Sequence, residues 1–134
     1  MERKRRMRSI IVPIDGSPQS IRALSFAITM ARAFGDELVL LGVHGSSQIL
    51  GEHMMKEAAS VVRQEGVPYR TKVRVGGNPT IEISFEANDP DVRCIVMGLR
   101  GSGSGAASGK TLGSVSEGLL QLAKCPIVFV PYED

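Results

Sequence analysis

The residue types best suited to chemistry lie in a glycine- and serine-rich segment, residues 98–114. Glycine lets the backbone adopt positive φ angles and approach a ligand closely. Successive N–H groups of such a backbone can point at one anion, and a helix that begins at Ser114 would add its own unpaired N–H groups. Arg100 and Lys110 could supply positive charge. The segment therefore favours phosphate binding over a flexible linker, the usual role of Gly/Ser runs.

Two common phosphate-binding motifs do not fit the spacing of this segment. Gly109, Lys110 and Thr111 match the end of a P-loop, but that motif needs a glycine at position 104, where the chain has Ser104. The glycines that follow Gly98 also lack the spacing of a dinucleotide-binding fingerprint. We therefore expect neither a P-loop nucleoside triphosphatase nor a dinucleotide-dependent enzyme.

Side chains for catalysis or metal binding are sparse. The only histidines are His44 and His53; His44 could line a crevice at the end of a strand, but a neutral surface histidine is the simpler interpretation. Cys94 and Cys125 form no metal-ligand pattern and are expected to be reduced, partly buried thiols. No pair of carboxylates is placed to act on the glycine-rich segment, so we predict no catalytic residue and no metal site.

The elements around this segment alternate between short apolar runs and longer stretches of helical periodicity. This alternation is typical of a parallel α/β sheet. Strands are predicted at residues 9–14, 37–44, 69–75, 92–97 and 126–130. Helices are predicted from Pro18 to the breaker Gly35, over residues 51–65, from Pro79 onward and over residues 114–124. The glycine-rich segment thus leaves the carboxyl end of the fourth strand, where open α/β sheets bind ligands.

The third strand differs from the others because Arg70, Lys72 and Arg74 alternate with less polar residues. Period-two alternation indicates one face in water. Positive charge on that face is typical of an edge strand that avoids unwanted pairing. A basic ligand-binding face is the weaker alternative, since ligands of such sheets lie at strand ends.

Length and charge predict one domain that follows a basic N-terminal tail. The chain has 134 residues, and its net charge is +2. Five basic residues and one acidic residue give residues 1–8 a charge of +4, which we interpret as a solvated tail before a single domain at residues 9–134. The chain has no tryptophan and 4% aromatic residues, so a nucleic-acid platform is not expected. It has no apolar run long enough to span a bilayer, and we expect a cytoplasmic protein.

Several segments together resemble the universal stress protein family, in the family's order and over nearly the whole chain. They comprise the first strand and its turn, the second strand, a G-x-P step before the third helix, the two ends of the glycine-rich segment, and the last strand. In this sequence they are residues 10–17, 38–43, 76–79, 96–101 with 113–116, and 125–130.

The resemblance implies a three-layer α/β/α fold with a five-stranded parallel sheet in the order 3-2-1-4-5. It also implies a regulatory protein that binds an adenine nucleotide (ATP, ADP or AMP), with or without Mg²⁺. Pro13 would line the adenine pocket, Asp15 would hold the ribose, and the backbone of Val43 would meet the adenine edge. The remaining residues that the resemblance assigns, to ribose and phosphates, are Gly98, Gly101, Gly113, Ser114 and Val115.

The glycine-rich segment departs from the family's pattern in length. That pattern is G-x2-G-x9-G-[S/T], whereas eleven residues separate Gly101 from Gly113 here. The connection after the second strand is also shorter than is frequent in the family. Which phosphates the longer loop holds is therefore left open. A slow ATPase or nucleotidyl-transfer enzyme, and a protein-interaction module that binds no nucleotide, are the alternatives.

The last strand bears on assembly. Residues Ile127–Val130 are apolar and uncharged, and the expected order places them at an edge of the sheet. An exposed apolar edge is prone to pairing, and the family pairs two such edges. We therefore expect a two-fold homodimer, in addition to a protein partner whose identity the sequence does not indicate.

Overall fold

A computed structural model describes residues 7–44, 48–99 and 112–131 of the chain. Helices and strands alternate along these residues. The elements are β1 (Ser9–Pro13), α1 (Pro18–Phe34), β2 (Glu37–His44), α2 (Gln48–Glu65), β3 (Tyr69–Val75), α3 (Pro79–Ala87), β4 (Val92–Gly98), α4 (Ser114–Leu122) and β5 (Ile127–Val130). The described strands form one parallel sheet in the order β3-β2-β1-β4-β5, which confirms the predicted fold.

The sheet lies between two helical layers. Helices α1 and α2 cover one face, and their apolar residues form a core with alternate residues of the strands, such as Ile10, Val12 and Leu40. Helices α3 and α4 cover the other face around Ile11 and Ile95. The central strands are buried on both faces, which explains their nearly continuous apolar sequences.

Local signals at the helix ends agree with the structure at most positions. Ser17 caps α1 with Pro18 in its first turn, Asn78 caps α3, and Gly35 ends α1 with a left-handed φ of 72°. Two boundaries differ from the prediction. Helix α2 begins three residues earlier than residue 51, because Gly51 is a buried residue within the helix and not its start. Helix α4 ends at Leu122, where the following residue turns to an extended conformation.

The basic residues of β3 all have acidic partners. The strand lies at the edge of the sheet, as its alternation predicts. Its ion pairs are Arg70 with Glu37 (2.9 Å), Lys72 with Glu86 (2.9 Å), and Arg74 with both Glu82 (3.4 Å) and Glu86. Because neighbouring carboxylates neutralise these cations, the alternative of a basic ligand-binding face loses its support.

The basic tail predicted at residues 1–8 lies mostly outside the described residues. Its last residue, Arg8, is joined to the domain: its backbone carbonyl accepts from the N–H of Glu37 (3.0 Å), and its guanidinium donates to the carbonyl of Val92 (3.1 Å). Among the helices described, none has the length and apolar character needed to traverse a bilayer.

Candidate functional site

The topology creates a crevice between β1 and β4. These neighbouring strands continue into helices on opposite faces of the sheet, β1 into α1 and β4 toward α4. Their connections therefore diverge, and a crevice opens at the carboxyl ends of the two strands. Pro13 and Asp15 lie on the β1 side of this crevice, and Gly98 lies at the end of β4.

The turn after β1 holds the side chain of Asp15 in place. The N–H of Ile14 donates to the carbonyl of Leu41 (2.8 Å), so the backbone stays alongside β2 beyond the last residue of β1. Gly16 then reverses the chain with a φ of 81°. The backbone N–H and the hydroxyl of Ser17 both donate to Oδ1 of Asp15, at 3.0 and 2.5 Å. This partly buried carboxylate is thus oriented by the first residues of α1.

Helix α2 closes over the same turn. A Cβ atom at Gly16 would lie 2.3 Å from Sδ of Met54, so the thioether packs directly against the glycine backbone. The positive φ favours glycine at this position, and a side chain here would also have to displace the thioether of Met54. The sequence pattern shows the need for a turn at Gly16 but not this contact, because it joins residues far apart in the chain.

The ends of the glycine-rich segment meet at a single carbonyl group. The carbonyl of Leu99, just after β4, accepts from the N–H of Gly113 (2.9 Å) and from the hydroxyl of Ser116 (3.0 Å). The same hydroxyl lies 3.4 Å from the carbonyl of Gly98. These bonds hold the start of α4 beside the end of β4, so the first turn of α4 faces the crevice.

The first turn of α4 offers donors to an anion. Gly113 precedes the helix in an extended conformation, and no side chain in the described part of the chain caps it. The N–H groups of Ser114, Val115 and Ser116 are the first of the helix and have no partner within it. Together with the helix dipole they favour a phosphate group.

The predicted site residues fall into two groups. Pro13, Asp15, Gly98, Gly113, Ser114 and Val115 all lie at the carboxyl edge of the sheet, and Val43 lies near the end of β2, beside β1. The roles of all these residues stay predictions, and Arg100, Gly101 and Lys110 lie outside the described part of the chain.

Three residues that contribute to the site were not identified as such from the sequence: Ser17, Met54 and Ser116. By its sequence, Ser17 before Pro18 is typical of a helix cap. Ser116 is buried on the sheet-facing side of α4, and a hydroxyl among the apolar positions of a helix is the signal that could have identified it.

The described residues provide little for covalent or metal chemistry. They contain no group of three or more His, Cys, Asp or Glu side chains that could hold a metal ion. Both cysteines are unpaired, as predicted, and burial raises the pKa of Cys94 to about 11. A thiol with this pKa is almost entirely protonated near neutral pH and is a poor nucleophile.

Comparisons with solved structures agree with this architecture. A universal stress protein in complex with cAMP superposes with a TM-score of 0.78, at 23% identity, over 95% of this chain and 98% of that one. The universal stress protein from Archaeoglobus fulgidus in complex with dAMP gives a TM-score of 0.73, at 22% identity, over 92% and 97%. At these identities the likeness shows the fold alone.

Sequence comparisons identify the family. The chain is 31% identical to the universal stress protein YxiE of Bacillus subtilis, over 90% of this chain and 97% of that protein. It is 33% identical to a universal stress protein of Thermus aquaticus, over 92% and 98%. The model of the universal stress protein family matches residues 7–131, which include every element described above. The chain therefore belongs to the universal stress protein family.

Proposed function

We propose that this chain is a regulatory protein that binds an adenine nucleotide in the crevice between β1 and β4. The observation that carries the proposal is the closure at the carbonyl of Leu99, which sets the uncapped start of α4 beside the end of β4. Asp15 lies across the crevice in a fixed orientation. Structural neighbours in complex with cAMP and with dAMP support adenine nucleotides as the ligand class.

The proposed pose divides the nucleotide among three parts of the crevice. The base lies against Pro13 and the backbone of Val43, and Asp15 accepts from the ribose hydroxyls. Gly98 and Gly101 allow close approach of the backbone to the ribose and phosphates. The residues proposed to hold the phosphates are Ser114 and Val115 by their backbone N–H groups, and Arg100 and Lys110 by their charge. Gly113, whose own N–H donates to Leu99, is proposed to let the phosphates approach the chain closely.

Magnesium would enter this site with the nucleotide. The described residues provide no cluster of three ligands for it, so most of its ligands would be phosphate oxygens and water, a common arrangement for this ion. We therefore propose Mg²⁺ only as a companion of the phosphates. Because binding and not chemistry is proposed, the protein is expected to act by changing its conformation or its contacts with a partner.

Calorimetry of the purified protein with ATP, ADP and AMP tests the proposal. Binding heat is expected at or below millimolar nucleotide, and Asp15→Asn is expected to weaken it. Asp89→Asn is the matched control, because Asp89 also accepts from the N–H two residues later (Asp91, 2.8 Å) but lies before β4, at the opposite edge of the sheet. No heat with any of the three nucleotides, together with an unchanged melting temperature, would favour a module that binds no nucleotide.

We also propose that two copies pair through β5. The described strands place β5 at the edge of the sheet, with Ile127–Val130 half-buried in the single chain. Apolar side chains flank this edge on both faces. Phe26 is 45% exposed on α1, one turn from Arg22, whose guanidinium donates to the carbonyl of Pro131 after β5; Leu120 is 56% exposed on α4.

Light scattering at tens of micromolar protein tests this pairing, with the mass of a dimer as the expected result. Phe26→Glu combined with Leu120→Glu is expected to give monomers, because both substitutions place charge beside the paired edge. Phe85→Glu is the matched control: Phe85 is 65% exposed on α3, where it contacts Arg74 of the opposite edge strand. A monomer mass for the unaltered chain would refute the proposal. A cytoplasmic location and a further protein partner stay predictions.

A further inference from the structure

Ser17 occupies the junction between the candidate site and helix α1. Its side chain is buried, with 4% of the residue exposed. Its hydroxyl donates to Oδ1 of Asp15 (2.5 Å) and accepts from the backbone N–H of Ser20 (3.2 Å). The direction of both bonds follows from chemistry, because an ionised carboxylate can only accept and a backbone N–H can only donate. One hydroxyl therefore serves the helix and the carboxylate at the same time.

The bonds from Ser17 restrict the rotation of the Asp15 carboxylate. The terminal torsion of an aspartate side chain is broad and roughly two-fold, so the plane of its carboxylate is not fixed by the backbone. Two donors from Ser17, the hydroxyl and the backbone N–H, converge on Oδ1. Hydrogen bonds to an ionised oxygen are the stronger kind. Holding Oδ1 in this way sets the direction in which Oδ2 points.

We propose that Ser17 is a positioning residue of the nucleotide site, which orients Asp15 toward the hydroxyl groups of the ribose. The inference rests on the proposed nucleotide function and deepens it. It assigns the preference for a ribose over a sugar without hydroxyl groups to a residue that does not itself contact the ligand. Ser17 acts only through Asp15. Its removal is therefore expected to matter for nucleotides that have ribose hydroxyls and to be almost without effect for those that lack them.

Four variants separate this role from helix capping. Ser17→Ala removes both the cap and the donor to Asp15. Ser17→Gly also removes the donor but leaves the helix start nearly as stable and adds no charge beside Asp15, because glycine is tolerated at an N-cap. Ser17→Thr keeps both functions. Asn78→Ala removes a cap of the same kind from α3, where the side chain of Asn78 accepts from the N–H of Ile81 (3.2 Å), and leaves Asp15 untouched.

The measurement is the affinity of each variant for AMP and for 2′,3′-dideoxy-AMP, by calorimetry, with circular dichroism to establish folding. The two ligands carry the same base and phosphate, so an effect of a variant on those contacts cancels in the ratio of their affinities. The unaltered chain is expected to prefer AMP by about tenfold or more, the scale of hydrogen bonds to a charged group. Ser17→Ala and Ser17→Gly are expected to lower this preference severalfold, since only the backbone N–H of position 17 still donates to Asp15, whereas Ser17→Thr and Asn78→Ala keep it.

The outcomes distinguish the inference from the function on which it rests. No binding of AMP by the unaltered chain refutes both. Binding of AMP with a preference that survives in folded Ser17→Gly refutes the role of Ser17 and leaves the nucleotide site intact. Equal binding of the two ligands by the unaltered chain refutes the ribose contact of Asp15 and with it the positioning role. Should Ser17→Ala fail to fold, Ser17→Gly decides the question alone, because glycine is tolerated at the N-cap.

Discussion

Replacement of Gly16 by alanine tests the geometry of the turn that carries Asp15. Two effects add at this position. The φ of 81° is unfavourable for any residue with a side chain, and the new Cβ would lie 2.3 Å from Sδ of Met54. Gly35 and Gly66 are matched controls, because their φ angles are 72° and 71° but none of the described atoms lies within 4 Å of a Cβ built there.

The two effects can be given separate magnitudes. A left-handed conformation costs alanine about 1–2 kcal/mol, and the lower entropy of the unfolded chain returns about 0.4–1 kcal/mol of this. Gly35→Ala and Gly66→Ala should therefore each cost about 1 kcal/mol. Displacing the flexible thioether of Met54 adds about 1–2 kcal/mol, the lower part of the range for an overpacked contact, so Gly16→Ala should cost about 2–3 kcal/mol in all.

Urea unfolding of the three variants, each compared with the unaltered chain, provides the measurement. The midpoint of Gly16→Ala is expected to fall at least twice as far as those of the controls. Met54→Ala in the Gly16→Ala background should recover the part of the loss that comes from the contact, relative to Met54→Ala alone, as a double-mutant cycle measures it. Equal losses at all three glycines, or no coupling between positions 16 and 54, would refute the packing of α2 against the turn.

Three further predictions concern charged and thiol groups. Arg93→Met should cost about 1–3 kcal/mol in urea unfolding, because it leaves the carboxylate of Asp36, only 2% exposed, without the guanidinium that pairs with it at 2.5 Å; a loss below about 1 kcal/mol would contradict this. Burial acts to raise the pKa of Glu86, but hydrogen bonds from two basic side chains of β3 lower it below its ordinary value of 4.5. Glu86→Gln should therefore be less stable at pH 7 and lose less stability as the pH falls below 4.5, which parallel melting curves would test. Burial raises the pKa of Cys94 to about 11 and also raises that of Cys125, so a thiol reagent at pH 8 should label Cys94 slowly in the native protein and rapidly in denaturant.

Much of the fold follows from local signals in the sequence. The N-caps at Ser17 and Asn78, each followed by a proline, locate two helix starts to the residue. The charge alternation of β3 predicts an edge because burial on both faces would leave cations in the core. The start of α2 was not predicted because the sequence does not distinguish a buried glycine inside a helix from a glycine that interrupts one.

The parts of the site that were not predicted depend on contacts between distant residues. The bond from Ser116 to the carbonyl of Leu99 joins residues 17 positions apart, and the contact between Gly16 and Met54 joins the turn after β1 to helix α2. Neither contact produces a periodic pattern in the sequence, because one polar atom or one missing side chain is enough to make the contact. The roles of Pro13 and Val43 likewise came from the family resemblance, since an apolar residue near a strand end is ordinary core by its sequence alone.

The extra length of the glycine-rich segment is compatible with the closure at Leu99. Eleven residues in place of nine between Gly101 and Gly113 raise the entropic cost of closing the loop by only about 0.2 kcal/mol. The two hydrogen bonds that the carbonyl of Leu99 accepts, from Gly113 and Ser116, contribute about 1 kcal/mol each. The closure therefore outweighs the insertion by roughly an order of magnitude. The two extra residues are therefore compatible with the hydrogen bonds that join the two ends of the segment.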